Sequence, residues 1–274
     1  MKKNGIVIGT VVAIVVIISG VLIYVNRYIP YKQAAQEFKN AASIIEEKNA
    51  LLKAEIDKAQ KVVSSGEKPL EASRIDEVNG AIKDATAKMV VIPEMPHKTP
   101  EIIETTAKLD TNVDYSADIS SVKEARQNLE DSIAQMKQLT NPSEDFVRGR
   151  IAEVTGITGV QAATEETDRN GLLHKKGGYT SVVYFSLEYV NQNDAYGTDI
   201  VDKGTDCGGC IEVFETEEEA QARDDYLATF DGSILSSGYH KLVGTCVFRV
   251  SDLLNASKQE EVFQNMYEKM IELR

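Results

Sequence analysis

Cys207 and Cys210, in the glycine-rich stretch GTDCGGCI (204–211), have the spacing in this 274-residue chain that most directly suggests chemistry. A C-x-x-C pair does redox work when its first thiol sits at a helix N-terminus, whose partial positive charge favours the thiolate. Here Cys210 runs straight into the strand-like IEVFE, so no helix supplies that field. A structural zinc needs about four ligands. The chain offers Cys207, Cys210, Cys246, His97, His174 and His240, with no second paired spacing. The stretch therefore reads as a sharp bend into a strand, with Cys210 and Cys246 as small buried apolar residues. In an oxidising compartment, a disulfide between two of the three thiols is the alternative. No metal and no cofactor is expected.

Asp199, Asp202 and Asp206 cluster ahead of the cysteines, but they lack the alternating ligand positions and the glycine of a calcium loop, and they read as solvated carboxylates. Asp168-Arg169-Asn170-Gly171 and Lys175-Lys176-Gly177-Gly178 are turns by composition. No phosphate-cradling glycine loop is present, and no Ser/His/Asp or Cys/His set can be assembled, so catalysis is not expected. Recognition residues concentrate on loops held by a rigid scaffold. The candidate binding residues are accordingly Asp168, Asn170, Lys175, Lys176, Asp199, Asp202 and Asp206, on the loops 168–178 and 191–209.

The elements that must hold these loops are legible from period. Apolar and β-branched runs at 157–164, 179–190, 210–214 and 240–250 predict four strands. Thr216-Glu-Glu-Glu219 and Ser257-Lys-Gln-Glu260 have the capping-box pattern ahead of two helices. Asn141-Pro142-Ser143-Glu144 opens a shorter one, with Asn141 as its cap. The expected C-terminal domain, 142–274, is an α+β fold: a mainly antiparallel sheet with helices on one face.

Before it, apolar residues recur at steps of three and four over 31–63, 72–91 and 117–139, predicting three amphipathic helices. The second and third align without gaps over IDEVNGAIKDATAKM and VKEARQNLEDSIAQM. Residues 92–115 read as a loop with a short helix after Pro100. The expectation for 29–141 is a three-helix bundle spacer, or an extended stalk.

Ahead of these lies Ile6 to Val25, an uncharged run of 20 residues. At about 1.5 Å per residue it spans the roughly 30 Å hydrocarbon core of a bilayer. A cleaved signal peptide would have a shorter apolar region and an A-x-A-like site, which the run lacks. Residues 1–28 are therefore expected to be a transmembrane anchor and the lipid bilayer a partner. Lys2 and Lys3 before the run, against Arg27 and Lys32 after it, give a slight preference for an internal N-terminus and an extracellular bulk. No cysteine at the end of the run suggests a lipid-modified anchor.

Charge is uneven. Residues 1–143 carry 18 Lys and Arg against 19 Asp and Glu, whereas 144–274 carry 12 against 24. An acidic C-terminal part repels phosphate backbones and anionic headgroups, which argues against nucleic-acid binding and excludes a polybasic membrane contact there.

The segments GGYTSVVYFSLEYV, GTDCGGCIEVFETEEEAQARDDYLATF, HKLVGTCVFRV and ASKQEEVFQNMYEKMIE resemble the C-terminal module of membrane-anchored and lipoprotein-like surface proteins of Gram-positive bacteria. The likeness covers roughly residues 150–273. More loosely, the helical part resembles three-helix modules of extracellular matrix-binding surface proteins from the same bacteria. The resemblance implies a cell-surface location and brings no catalytic residue. The expected function is display of the α+β head for binding a protein or cell-envelope ligand, or for an envelope structural role. The alternatives are a cytoplasm-facing scaffold of division or secretion machinery, and an envelope thiol sensor built on Cys207 and Cys210.

Overall fold

The computed structural model describes residues 2–233 and 238–274, with side chains from Val11 onward. The protein is α+β: a long apolar N-terminal helix, further helices, and a C-terminal five-stranded antiparallel sheet. Two compact units form, 1–66 with 75–127, and 67–74 with 128–274. The boundary expected at 141/142 lies inside the second unit.

In the first unit, α1 (Lys2–Ile23) passes through a π-helical stretch, Tyr24–Tyr28, into α2 (Ile29–Val63). An anchor ending at residue 28 and a separate helix from Tyr31 were expected; the two are one unbroken helix. Pro30 offers no N–H, and its ring crowds the carbonyl four residues back. The wider π turn immediately before it is where the hydrogen-bond ladder absorbs that conflict. From Val11 to Ile23 the apolar side chains are exposed on every side of the helix, which is long and apolar enough to cross a membrane. The backbone of Ile6 is helical, its side chain lies outside the described residues, and Val25 falls within the π turn.

Beyond Ala34, α2 becomes amphipathic. Ala34, Phe38 and Ala42 pack with Ile102 of α4 (Thr99–Ala107), the short helix expected after Pro100. The segment around α4 is ordered by polar contacts with α2. Lys48 Nζ donates to the carbonyls of Thr111 (2.9 Å) and Val113 (2.7 Å), and Tyr115 Oη donates to Asn49 Oδ1 at 2.9 Å. Asn49 Nδ2 in turn donates to the Val90 carbonyl, just past the end of α3 (Ser73–Lys88). Arg126 on α5 (Ser116–Gln138) pairs with the buried Glu55 at 3.0 Å.

In the second unit the strands are β1 (Ile157–Ala162), β2 (Ser181–Leu187), β3 (Gly208–Val213), β4 (Tyr239–Val243) and β5 (Cys246–Val250). Their spatial order is β1-β2-β3-β5-β4, and every neighbouring pair is antiparallel. Where one strand was expected over 240–250 there is a hairpin. Gly244 (φ +61°) followed by Thr245 matches the Gly-X order of a two-residue II′ turn. A Cβ on Gly244 would meet the Leu139 carbonyl oxygen at 2.4 Å, so glycine is required there twice over.

Helices were expected on one face of the sheet, and they cover both. Val183, Phe185, Ile211, Phe248 and Val250 meet Val147 and Ile151 of α6 (Glu144–Ile151) and Phe263, Met266 and Met270 of α9 (Ala256–Ile271). Tyr184, Cys210 and Val247, on the opposite face, meet Ala220 and Leu227 of α8 (Glu217–Ala228) and Val201 of the short α7 (Ile200–Lys203). A strand covered on both sides loses its polar alternation, and β2, β3 and β5 are buried at every residue.

Two caps also differ from expectation. Ser143, not Asn141, caps α6 by accepting the Phe146 N–H, because Asn141 holds a left-handed conformation (φ +45°) outside the helix. Asn255, not Ser257, caps α9 through the Lys258 N–H. Thr216 caps α8 as expected, accepting the Glu219 N–H at 3.2 Å.

Candidate functional site

The α8 face of the sheet carries the densest buried charge of the second unit. Glu212, on β3, is fully buried in the middle of an apolar strand. Its period-2 position turns it toward α8, where Arg223 meets it with two parallel bonds, Nε to Oε2 at 2.6 Å and Nη2 to Oε1 at 2.8 Å. Arg249 of the adjacent β5 donates Nη1 to Oε1 at 2.9 Å. Burial by itself would raise the Glu212 carboxyl, but the Arg223 hydrogen bond and the charges of Arg249 and Arg223 outweigh it and hold the group below the usual carboxylate range.

A cavity of about 610 Å³ opens beside this cluster and is lined by Arg223, Arg249 and Glu219. Phe214, Leu227 and Phe230 give it apolar surface, and Tyr226 packs edge-on against Phe230 at 5.2 Å between centroids. Asn170 and Leu172 bring in the loop 168–178. The cavity thus joins a few convergent polar groups to apolar surface, the usual make-up of a small-molecule site.

Of the loop residues named from sequence, Asn170 alone lines this cavity among the described residues. Asp168 organises its own loop. Its Oδ2 accepts the Leu172 and Leu173 N–H groups at 2.6 and 2.8 Å, and its Oδ1 accepts the Asn170 N–H at 3.1 Å and the Tyr179 hydroxyl. Partial burial would raise this carboxyl, and those donors more than offset it, so it lies below its ordinary value. Lys175 and Lys176 are exposed in the same loop. Asp199 caps α7 through the Asp202 N–H at 2.9 Å. Asp202 accepts from the Thr198 backbone N–H (2.8 Å) and hydroxyl, which lowers its pKa. Asp206 is raised, by burial and by the neighbouring Asp252. Turn formation accounts for Asp168, Asp199 and Asp202.

All three cysteines are free and buried. Cys207 ends a 3₁₀ turn, and its thiol lies within donating distance of the Gly204 (3.3 Å), Phe185 (3.5 Å) and Ile200 (3.6 Å) carbonyls. Burial pushes Cys207 up to about 11, and Cys210 and Cys246 up to about 12. Acceptors around a buried thiol favour the protonated form, the reverse of what a reactive thiolate needs. Cys210 and Cys246 belong to opposite faces of the sheet, which rules out a bridge between them. Cys207 is followed by strand rather than bend: Gly208 and Gly209 already belong to β3, and a Cβ on Gly209 (φ +155°) would meet the Arg249 carbonyl at 2.1 Å. His174 pairs with Glu165 at 3.0 Å and His240 with Asp224 at 2.6 Å. Among the described residues, no group of three or more His, Cys, Asp or Glu side chains is placed to hold a metal ion.

Glu212, Arg223, Arg249 and Glu219 were not found from sequence. The available signal was a lone Glu in CIEVF and a lone Arg in CVFRV, charges inside apolar strands that must find partners when buried. No protein-family model matches the chain, and no curated protein or solved structure matches it.

Proposed function

We propose that the chain is a single-pass membrane protein whose α+β head is displayed at the cell surface and binds a ligand in the cavity beside α8, without catalysis. The observation that carries the binding reading is the convergence of Arg223, Arg249 and Glu219 with aromatic surface on that cavity. Buried ion pairs fix the guanidinium groups in place before any ligand arrives, and preorganisation of this kind lowers the cost of binding. A non-catalytic role is favoured because the thiols, the most nucleophilic groups available, are buried and held protonated.

The length and composition of the N-terminal helix suit a membrane span and a signal sequence alike. The anchor reading is favoured by the unbroken helix through residues 24–34, where a cleaved peptide would need an accessible small-residue site. Tyr24 and Tyr28 stack at 5.2 Å, and Lys32 sits over the Tyr28 ring, as suits residues at a membrane–water interface. The helical residues of the first unit then serve as the spacer, and the resemblance to Gram-positive surface proteins agrees with an extracellular head.

Ala222 is an exposed residue that lines the cavity from α8 and takes no part in the ion pairs, so Ala222→Trp fills the space without removing a charge. In excess detergent, the full-length parent is expected to be retained on isolated cell-envelope material, and the Ala222→Trp variant to be retained less. Equal retention of the two would contradict the cavity's role.

A further inference from the structure

The two edges of the sheet are β1 and β4, and they are not alike. An edge strand presents unpaired N–H and C=O groups, which proteins commonly guard with charged residues, lysine above all. β4 (YHKLV) carries the exposed Lys241 and a histidine paired with Asp224. β1 (ITGVQA) carries no charge and no proline. The Ala163 N–H donates to the Val182 carbonyl, which places residues 159, 161 and 163 in the hydrogen-bonded pairs with β2. Val160 and Ala162 therefore turn their N–H and C=O groups outward, where they meet no partner among the described residues. The bulge of β1 falls between Ile157 and Gly159, so 160–162 is a regular stretch of open edge.

Beside this edge lies a groove of about 530 Å³ between residues 157–160 and α6. Its α6 wall is a single helical stripe of Asp145, Arg148, Gly149 and Ala152. A Cβ on Gly149 would meet nothing within 4 Å, so the wall is open to a neighbour. The Asp145 side chain is 93% exposed, and Arg148 stands 3.6 Å from it and 3.8 Å from Glu144, too far for a hydrogen bond to either. On the same side of β1, Ile157, Val160 and Ala162 are only partly buried, and they form an apolar strip along the edge.

We propose that β1 pairs antiparallel with β1 of a second copy of this chain, joining the two sheets about a twofold axis at Gln161. In this register Val160 of one copy lies opposite Ala162 of the other, and every outward group of both residues finds a reciprocal partner. A twofold interface brings one surface against itself, so the surface must be complementary to its own reverse. This one is. The apolar strips of the two copies continue each other across the axis, and the antiparallel α6 stripes set the Arg148 of each copy toward the Asp145 of the other. An unrelated strand would find the same open edge but not this matched order of charges. The surface is separate from the cavity beside α8, so dimerisation and ligand binding stand or fall independently.

The test measures the mass of the full chain in detergent micelles by light scattering, with the detergent contribution subtracted. The parent is expected at twice the mass of one chain. Val160→Pro should run as a single chain with the parent's far-ultraviolet circular dichroism, because it removes an N–H that no bond within the chain uses. Arg148→Glu should weaken the dimer about tenfold or more, and adding Asp145→Arg to it should restore the dimer, a rescue that a folding defect would not give. Gln161→Cys puts a thiol on the axis, where paired Cα atoms about 4.5 Å apart lie within reach of a disulfide. Mild oxidation should then link two chains, whereas the parent, whose thiols are buried, should not be linked. A monomeric parent overturns the proposal. A Val160→Pro variant that stays dimeric overturns it too, since a dimer held through the apolar N-terminal helix alone would behave in that way. If Val160→Pro does not fold, the crosslink decides, and a dimeric Gln161→Cys chain that gives no covalent dimer contradicts the pairing of β1.

Discussion

Glu212 is ionised in a fully buried position because two guanidinium groups surround it. Taking away one partner of such a cluster leaves uncompensated charge, which typically costs about 3–5 kcal/mol. Glu212→Gln is therefore expected to lower the stability of the second unit by that amount at pH 7, read from hydrogen exchange of β3 and β5. The folded pKa lies below the ordinary carboxylate value of 4.5, so the stabilisation is present above that pH and is lost as the pH falls through the folded value. Acidification below about pH 4 should accordingly destabilise the parent more than Glu212→Gln. The thiols give a second prediction: at pH 7.5 a maleimide should leave Cys207, Cys210 and Cys246 unmodified in the folded chain and modify all three in urea. At this scale the sequence was informative about the cysteines, whose strand context already argued against a thiolate. Asp168, Asp199 and Asp202, which composition marks as binding candidates, form the turns of their own loops. Turn-forming and ligand-binding carboxylates have the same composition, and only geometry separates them.

Helix starts test the account of the elements. Thr216→Ala, Ser143→Ala and Asn255→Ala should each cost about 1 kcal/mol, because each removes the acceptor for a first-turn N–H. Ser257→Ala should change stability by no more than a few tenths of a kcal/mol, since Ser257 lies inside α9 and does not cap it. Hydrogen exchange at the three helix starts checks both. The helices of the first unit, the strands β1 to β3 and α8 were legible from period and capping, and the order of elements led directly to an antiparallel α+β head. Coverage of both sheet faces has a trace in the largely apolar runs SVVYFSL and CVFRV, although helices were expected on one face only. What hid the second layer is α8 itself. It buries little more than Ala220 and Leu227 and joins the sheet through Arg223, so it lacks the broad apolar stripe by which a packing helix is recognised. The β4–β5 hairpin was missed because its turn is two residues long within an otherwise strand-like run.

Over the whole chain, an apolar helix with every described side chain exposed stands at one end of the sequence, and an acidic head with a lined cavity at the other. A helix of that kind is stable in lipid and a liability in water, so Val15→Asp and Ile17→Asp together should move the chain from the membrane fraction to the soluble one. The central claim is that the head faces outward. Tyr196 is 92% exposed, on the loop 191–209, and the native thiols are buried, so Tyr196→Cys supplies one reactive thiol on an otherwise silent background. A membrane-impermeant maleimide applied to intact cells expressing this variant is the most direct measurement. Modification at residue 196 on unbroken cells is the predicted result. Modification only after the membrane is opened would place the head in the cytoplasm and replace surface display with an internal scaffold.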